Sequence, residues 1–352
     1  MERNYLFDNL KVFLIFTVVL VHLLAVISNL YEPTFRYDGI VSLMICTFHM
    51  PLFMFVSGYL SKNLNNTFLK VKNLIVLYAV GQILIYLVRV NICGLDGSID
   101  RLFVPAFSMW YLFSLIIFKA LLPLIAKIKY PLLVIGFFLG LSIYTSAINP
   151  ETDIQSSLLK LCEFSVFYFI GYYTTGEQIA FLKSRKKLPF LLVIGASIIS
   201  MVILIEANII GTTRLRLLFL RDLPTEYFQV GGFIYLLYIY TFFISVSLGI
   251  AIIALFPAKE NDLSQWGRNT SLVYICQAML FFMWREEILD IFLVTSEEKL
   301  NMIAVLLSFL CVIIFGEPHI TRWFSIFLNF IRRVVFLEFI YMDRKNKRKE
   351  LK

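Results

Sequence analysis

The sequence predicts an all-α, polytopic membrane protein with about ten transmembrane helices and both termini in the cytoplasm. Three observations carry this prediction. Hydrophobic residues make up 59% of the 352-residue chain and charged residues only 16%, against about 45–50% and about 25% in soluble domains. Mean hydropathy is +0.80. Apolar stretches of about 20 residues, the length that crosses the hydrocarbon layer as a helix, recur along most of the chain. This composition excludes a soluble globular enzyme, a disordered chain and a secreted disulfide scaffold.

Ten stretches qualify: 12–30, 40–60, 73–93, 106–126, 130–148, 158–175, 189–210, 231–256, 270–290 and 300–316. The first is too long for a signal-peptide core and no small-residue cleavage site follows it, so a retained span is expected. Lys119 interrupts the fourth, and Arg285-Glu286-Glu287 cuts into the ninth. No internal repeat or low-complexity linker divides the chain. It reads as a transmembrane domain over 1–320, then a segment over 321–352. That segment reads either as an interfacial helix with a basic cytoplasmic tail on anionic lipid or as a solvated charged terminus.

Orientation follows from the basic residues. With the N-terminus in the cytoplasm, that side collects the larger share of the 32 Lys and Arg, as the positive-inside rule requires. The loop holding Arg214, Arg216 and Arg221 is the exception, basic yet placed outside. The net charge of +8 therefore reads as membrane topology, and no nucleic-acid partner is expected. The five cysteines, Cys46, Cys93, Cys162, Cys276 and Cys311, show neither pairing nor metal-ligand spacing. They read as small lipid-buried residues, and no metal is expected.

Ionisable groups inside apolar spans are expensive and tend to mark function. His22 follows Lys11 by eleven residues, roughly 16 Å along the axis and about three turns, so the two share one helix face. Asp8 lies one turn before Lys11 on about the same face. A long anionic cofactor such as coenzyme A could set its phosphates on Lys11 at the membrane surface and run its pantetheine arm to His22. A neutral imidazole there is suited to take a proton from a hydroxyl. The alternative is that His22 only hydrogen-bonds a neighbouring helix.

His49 lies in Phe48-His49-Met50-Pro51-Leu52-Phe53, where Pro51 frees a carbonyl and bends the span. Ser57-Gly58-Tyr59 follows, small residues that suit either a cavity wall or close helix packing. Gln82, Arg89, Glu163, Glu206 and Gln277 are further polar groups in apolar surroundings. Arg214 and Arg216 would hold a pyrophosphate or acidic sugar, or contact lipid headgroups. Phosphate-loop, Gly-x-Ser-x-Gly and His/Cys-cluster patterns are missing.

Lys11-x10-His22, preceded by Asp8-Asn9-Leu10, resembles the first span of the integral-membrane acyltransferase-3 superfamily. Phe48-His49-Met50-Pro51-Leu52-Phe53-Met54-Phe55-Val56-Ser57-Gly58-Tyr59 resembles its second span, most closely in the branch of fucose 4-O-acetylase-related acetyltransferases. Trp110-Tyr111-Leu112, Gly171-Tyr172 and Gly267-Arg268-Asn269-Thr270-Ser271-Leu272-Val273-Tyr274 resemble later segments, in the family's order. Two positions depart from the pattern. Gln277 stands where the late motif often ends in His, and Lys11 replaces the commoner Arg.

The resemblance implies an O-acyltransferase of the cell membrane that moves an acyl group, with acetyl expected, from acyl-CoA to a carbohydrate or lipid-linked glycan. Acetyl-CoA would be a donor substrate and not a resident cofactor. Lys11 would bind donor phosphate, with Asp8 orienting it or touching the donor. His22 would be the base. His49 would position the thioester or stabilise the oxyanion, and Ser57, Trp110, Arg214 and Arg216 would contact substrate. Membrane lipid and polysaccharide-synthesis proteins are the expected partners. Ten spans, a bent helix and midplane histidines also suit a polysaccharide exporter.

Overall fold

A computed structural model describes residues 4–30, 37–146, 148, 151–206, 233–268, 270–285 and 297–336. Among these, all regular structure is helical: α1 (Tyr5–Leu30), α2 (Tyr37–Tyr59), α3 (Thr67–Asn91), α4 (Trp110–Ile125), α5 (Pro131–Ser146), α6 (Asp153–Tyr173), α7 (Gly176–Ser184), α8 (Lys187–Glu206), α9 (Phe233–Leu255), α10 (Ser271–Met283), α11 (Glu297–Gly316) and α12 (Pro318–Val335). Each of the ten apolar stretches holds one of these helices. Among the described residues six helical stretches are long and apolar enough to cross a membrane: Tyr5–Ile27 of α1, Phe107–Ile125, and the greater part or all of α3, α8, α9 and α11. α5, α10 and the Met44–Tyr59 part of α2 are apolar but shorter. In the ninth stretch α10 runs to Met283, Trp284 and Arg285 continue as a π-helical turn, and residues 286–290 lie outside the described residues.

Side-chain contacts sort the helix ends into two sets. At the near end, Asn9 of α1 donates to the carbonyls of Pro257 and Lys259, both at 3.0 Å, and accepts from Ser264. The backbone at Asp8 comes so close to Gly267 that a Cβ there would overlap the Asp8 carbonyl. The Asp8-Asn9 and Gly267-Arg268 segments, 250 or more residues apart, are thus one packing unit. Lys62 donates to the Thr174 carbonyl after α6, and its ammonium sits 3.9 Å from the centre of the Tyr59 ring. Lys183 of α7 donates to the carbonyls of Ala254 and Phe256 at the end of α9, which caps that helix. Burial pulls the Lys62 and Lys183 ammonium groups below the ordinary lysine value, and Lys187 adds to this at Lys183. At the far end, Arg101 meets Asp153.

α1 is the central helix. It packs on α2, α10, α11 and the turn Asp262–Arg268, and Leu10, Leu14, Ile15, Val18, Leu23 and Ile27 on it are buried. α2 and α6 approach closely through two glycines. A Cβ on Gly58 would strike the Tyr168 carbonyl, and one on Gly171 the Phe55 carbonyl. Small residues let backbones approach in this way, which accounts for both the Ser57-Gly58 and Gly171-Tyr172 segments.

Pro51 does what its chemistry dictates. It has no N–H to offer the carbonyl four residues back, and the Ser245 hydroxyl of α9 donates to that Thr47 carbonyl at 2.5 Å instead. The carbonyl that Pro51 leaves free thereby fastens α2 to α9.

α12 is amphipathic, with Trp323, Ile326, Phe327 and Phe330 exposed on it. It opens with Glu317, whose carboxylate accepts from the backbone N–H groups of His319 and Ile320, and with Pro318 in the first turn, both strong start signals. It begins earlier than the tail helix expected from 321. His319 is exposed. Arg332 ties α12 to Asn73 of α3 at 2.8 Å.

Gly171→Leu is expected to destabilise the protein by about 1–3 kcal/mol or more through overpacking, seen as a lower unfolding temperature in detergent. Gly136→Leu, where an added Cβ meets nothing within 4 Å, should leave it unchanged. Equal shifts in the two variants would contradict the close α2–α6 crossing.

Candidate active site

The site begins with a glutamine in an apolar helix. Gln82 of α3 is 3% exposed, so its amide must find protein partners. It donates to the carbonyls of Arg101 and Val104, and its oxygen accepts from the Ala106 N–H at 3.1 Å. The segment between α3 and α4 is therefore pinned onto α3. Immediately after it, Phe107 takes a φ of 49°. That left-handed conformation is costly for a residue with a side chain and persists only where surroundings enforce it. Here the Phe107 ring stacks on Phe281 of α10 at 3.8 Å and lies 4.5 Å from the His22 ring. The fourth apolar stretch thus starts with a short 3-10 turn, Phe107–Met109, before α4.

The same turn places Ser108 between two residues of α10. Tyr274 donates to the Ser108 carbonyl. Gln277, one turn on, donates from Nε2 to Ser108 Oγ at 2.7 Å, and its Oε1 lies 2.7 Å from His22 Nδ1. With the amide oriented this way, Nδ1 carries the imidazole proton and Nε2 keeps its lone pair. Gln277 is 1% exposed. Such a satisfied chain in an apolar interior holds the ring in one tautomer and one direction.

His22 lines a cavity of about 520 Å³. His49 lines it too, with Met50, Trp110 and Tyr274. His49 Nδ1 donates to the Ile45 carbonyl at 2.8 Å. A carbonyl only accepts, so the neutral His49 ring also keeps its lone pair on Nε2 and has no N–H left to offer an oxyanion. Trp110 packs its ring on Phe164 at 5.0 Å. A larger cavity of about 740 Å³ lies between α2, α6, α7 and α9, but Leu52, Phe55, Phe167 and Ile253 make it apolar, and it holds neither histidine.

Lys11 stands elsewhere. Its ammonium is 3.0 Å from the Asp8 carboxylate at the near end. α1 contributes Val18, Val21, His22 and Ala25 to the histidine cavity, not Lys11. Ile15, between them on the shared stripe, is 1% exposed. The expected stripe exists, but packed side chains separate its two ends, and the two groups have different surroundings. Ser57 is placed between two helices. It is not among the lining residues of the histidine cavity, and its hydroxyl is 2.7 Å from the Tyr111 hydroxyl, joining α2 to α4. Arg214 and Arg216 lie outside the described residues.

Sequence reading named Gln277 only as a buried polar group and a departure from a motif, and it missed Ser108. The usable signal was the pair Tyr274 and Gln277, three residues apart on one helix face.

Nitrogen-15 NMR of histidine-labelled protein should show His22 and His49 as Nδ1–H tautomers. Gln277→Leu should release the tautomer of His22 and leave that of His49. A His22 protonated on Nε2 would contradict the relay.

A family model described as an acyltransferase domain matches residues 4–318. Comparison with curated proteins found no match, and neither did comparison with solved structures.

Proposed function

The chain belongs to the acyltransferase-3 family, and from membership and site geometry together we propose that this membrane acyltransferase moves an acetyl or related acyl group from acyl-CoA to a carbohydrate hydroxyl. The observation that carries the reading is the His22 ring. It lines a cavity, and Gln277 holds its Nδ1, which leaves the Nε2 lone pair outside that hydrogen bond. That is the disposition of a general base.

In this reading ten spans cross the cell membrane with both termini in the cytoplasm, so the near end faces the cytosol. The donor engages Lys11 through its phosphates at that end. Its thioester arm reaches His22 by parting the side chains around Ile15 and Val18. The acceptor sugar, free or lipid-linked, occupies the histidine cavity against Trp110. His22 Nε2 takes the proton of the acceptor hydroxyl as its oxygen attacks the thioester carbonyl. The carbon–sulfur bond then breaks, and the departing thiolate takes the proton from the imidazolium. The ester and free coenzyme A are the products, and His22 returns to neutral. Gln277 favours the imidazolium as it forms, because Nδ1–H remains hydrogen-bonded throughout. His49 accepts a hydrogen bond from a second sugar hydroxyl and sets which hydroxyl faces His22.

His22→Ala is expected to lower acyl transfer by about 10²–10⁴-fold, the usual worth of a general base. Transfer is measured from labelled acetyl-CoA, and surface glycan is weighed by mass spectrometry. The variant's glycan should reach the cell surface lacking one acyl mass. Glycan trapped inside the cell would indicate an exporter, and full acylation in the variant would remove the base.

A further inference from the structure

The far half of the histidine cavity carries charge that the transfer step does not use. Arg89 of α3, Arg101 of the segment after it, Lys160 of α6 and Arg285 beyond α10 line it, and Asp153 is the one carboxylate among the described lining residues. Four cations thus reach one space from separate elements of the fold.

They are not held alike. Arg101 is committed to carboxylates: its Nη1 donates to Asp153 at 2.7 Å, and its Nε lies 3.7 Å from Asp96. Hydrogen bonds from Ser98, with Arg101 adding to them, hold the Asp96 carboxyl below the usual carboxylate range, so this acid stays charged. Arg89 is within electrostatic reach of Asp153 and Asp96 and lies against an aromatic face. Its guanidinium carbon is 5.1 Å from the centre of the Phe282 ring, and its Nε is buried without a hydrogen-bond partner. Phe282 itself lines the cavity. Lys160 lies within electrostatic reach of His22, and Arg285 within reach of Arg89.

Several cations lining one space repel one another, and an anion placed among them offsets that repulsion. A guanidinium presents a planar fork that fits phosphate and carboxylate oxygens in pairs. A space of about 520 Å³ is of the size that takes a small ligand, roughly 300–1,000 Å³.

We propose that this half of the cavity is a subsite for an oxyanion carried by the acceptor, the phosphate or carboxylate of a charged sugar, with Arg89 as its anchor. The anion fixes one end of the sugar so that a hydroxyl at the other end faces His22. The fate of that hydroxyl rests on the acyltransferase reading; the binding of the anion does not.

The test uses the full chain in nanodiscs of zwitterionic lipid and three labelled probes: a hexose 1-phosphate, a methyl hexuronoside and a neutral methyl hexoside. Equilibrium binding should favour at least one anionic probe by about tenfold or more and should weaken as salt rises. The preferred anion tells phosphate from carboxylate. Arg89→Gln should remove most of that preference, and Arg89→Lys should keep part of it. Arg285→Gln, at a second position, should weaken the same probe if the Arg89 variants fold poorly. Equal binding of all three probes would overturn the subsite, as would displacement of the anionic probe by anionic lipid added to the disc, which would assign the cations to headgroups. Selective anion binding without acyl transfer would strike only the proposed function. Transfer to neutral and anionic sugars at one KM would strike only the subsite.

Discussion

One side-chain amide joins three helical elements at the centre of the protein. Gln277 holds His22 of α1 with its oxygen and Ser108 with its nitrogen, each at 2.7 Å. In an apolar interior an unsatisfied polar group costs about 1–3 kcal/mol, so these groups have few ways to be placed other than against one another. The direction of the imidazole, the seat of the Phe107–Met109 turn and the register of α10 against α1 are settled by the same bonds.

The near and far ends then divide the work. At the near end, Asn9, Gly267 and Lys183 bind α1, the Asp262–Arg268 turn, α7 and α9 into a closed packing unit, and Lys11 sits beside it with Asp8. At the far end, Gln82 fastens the segment after α3, and the cavity is lined with cations. A thioester from the first side and a hydroxyl from the second would meet at His22. On the proposed function, this division would let substrates from the two ends of the protein meet at His22.

Periodicity made much of this legible in advance. Apolar stretches gave the helices, and an eleven-residue interval put Lys11 and His22 on one face. Pro51 and the paired small residues marked α2 as a closely packed helix with a freed carbonyl. What escaped depends on pairings far apart in the chain. Ser108 and Gln277 are 169 residues apart, and no local pattern announces their bond. Ser57 looks the same on paper whether it walls a cavity or grips Tyr111. The filling of the stripe at Ile15 is a packing fact, invisible to a helical-face argument that treats spacing alone. Gln277 stood out as an exception to a motif, and only the fold explains why an amide serves there.

The central claim is that acyl carbon and imidazole share one space. An electron cryo-microscopy map of the full chain in nanodiscs with a non-reactive thioether analogue of acyl-CoA tests it directly. The account requires the analogue's acyl carbon in the histidine cavity, within reach of the base, at roughly 3–3.5 Å between the atoms that react. Density for the acyl end in the apolar cavity between α2, α6, α7 and α9, with the histidine cavity empty, would contradict it.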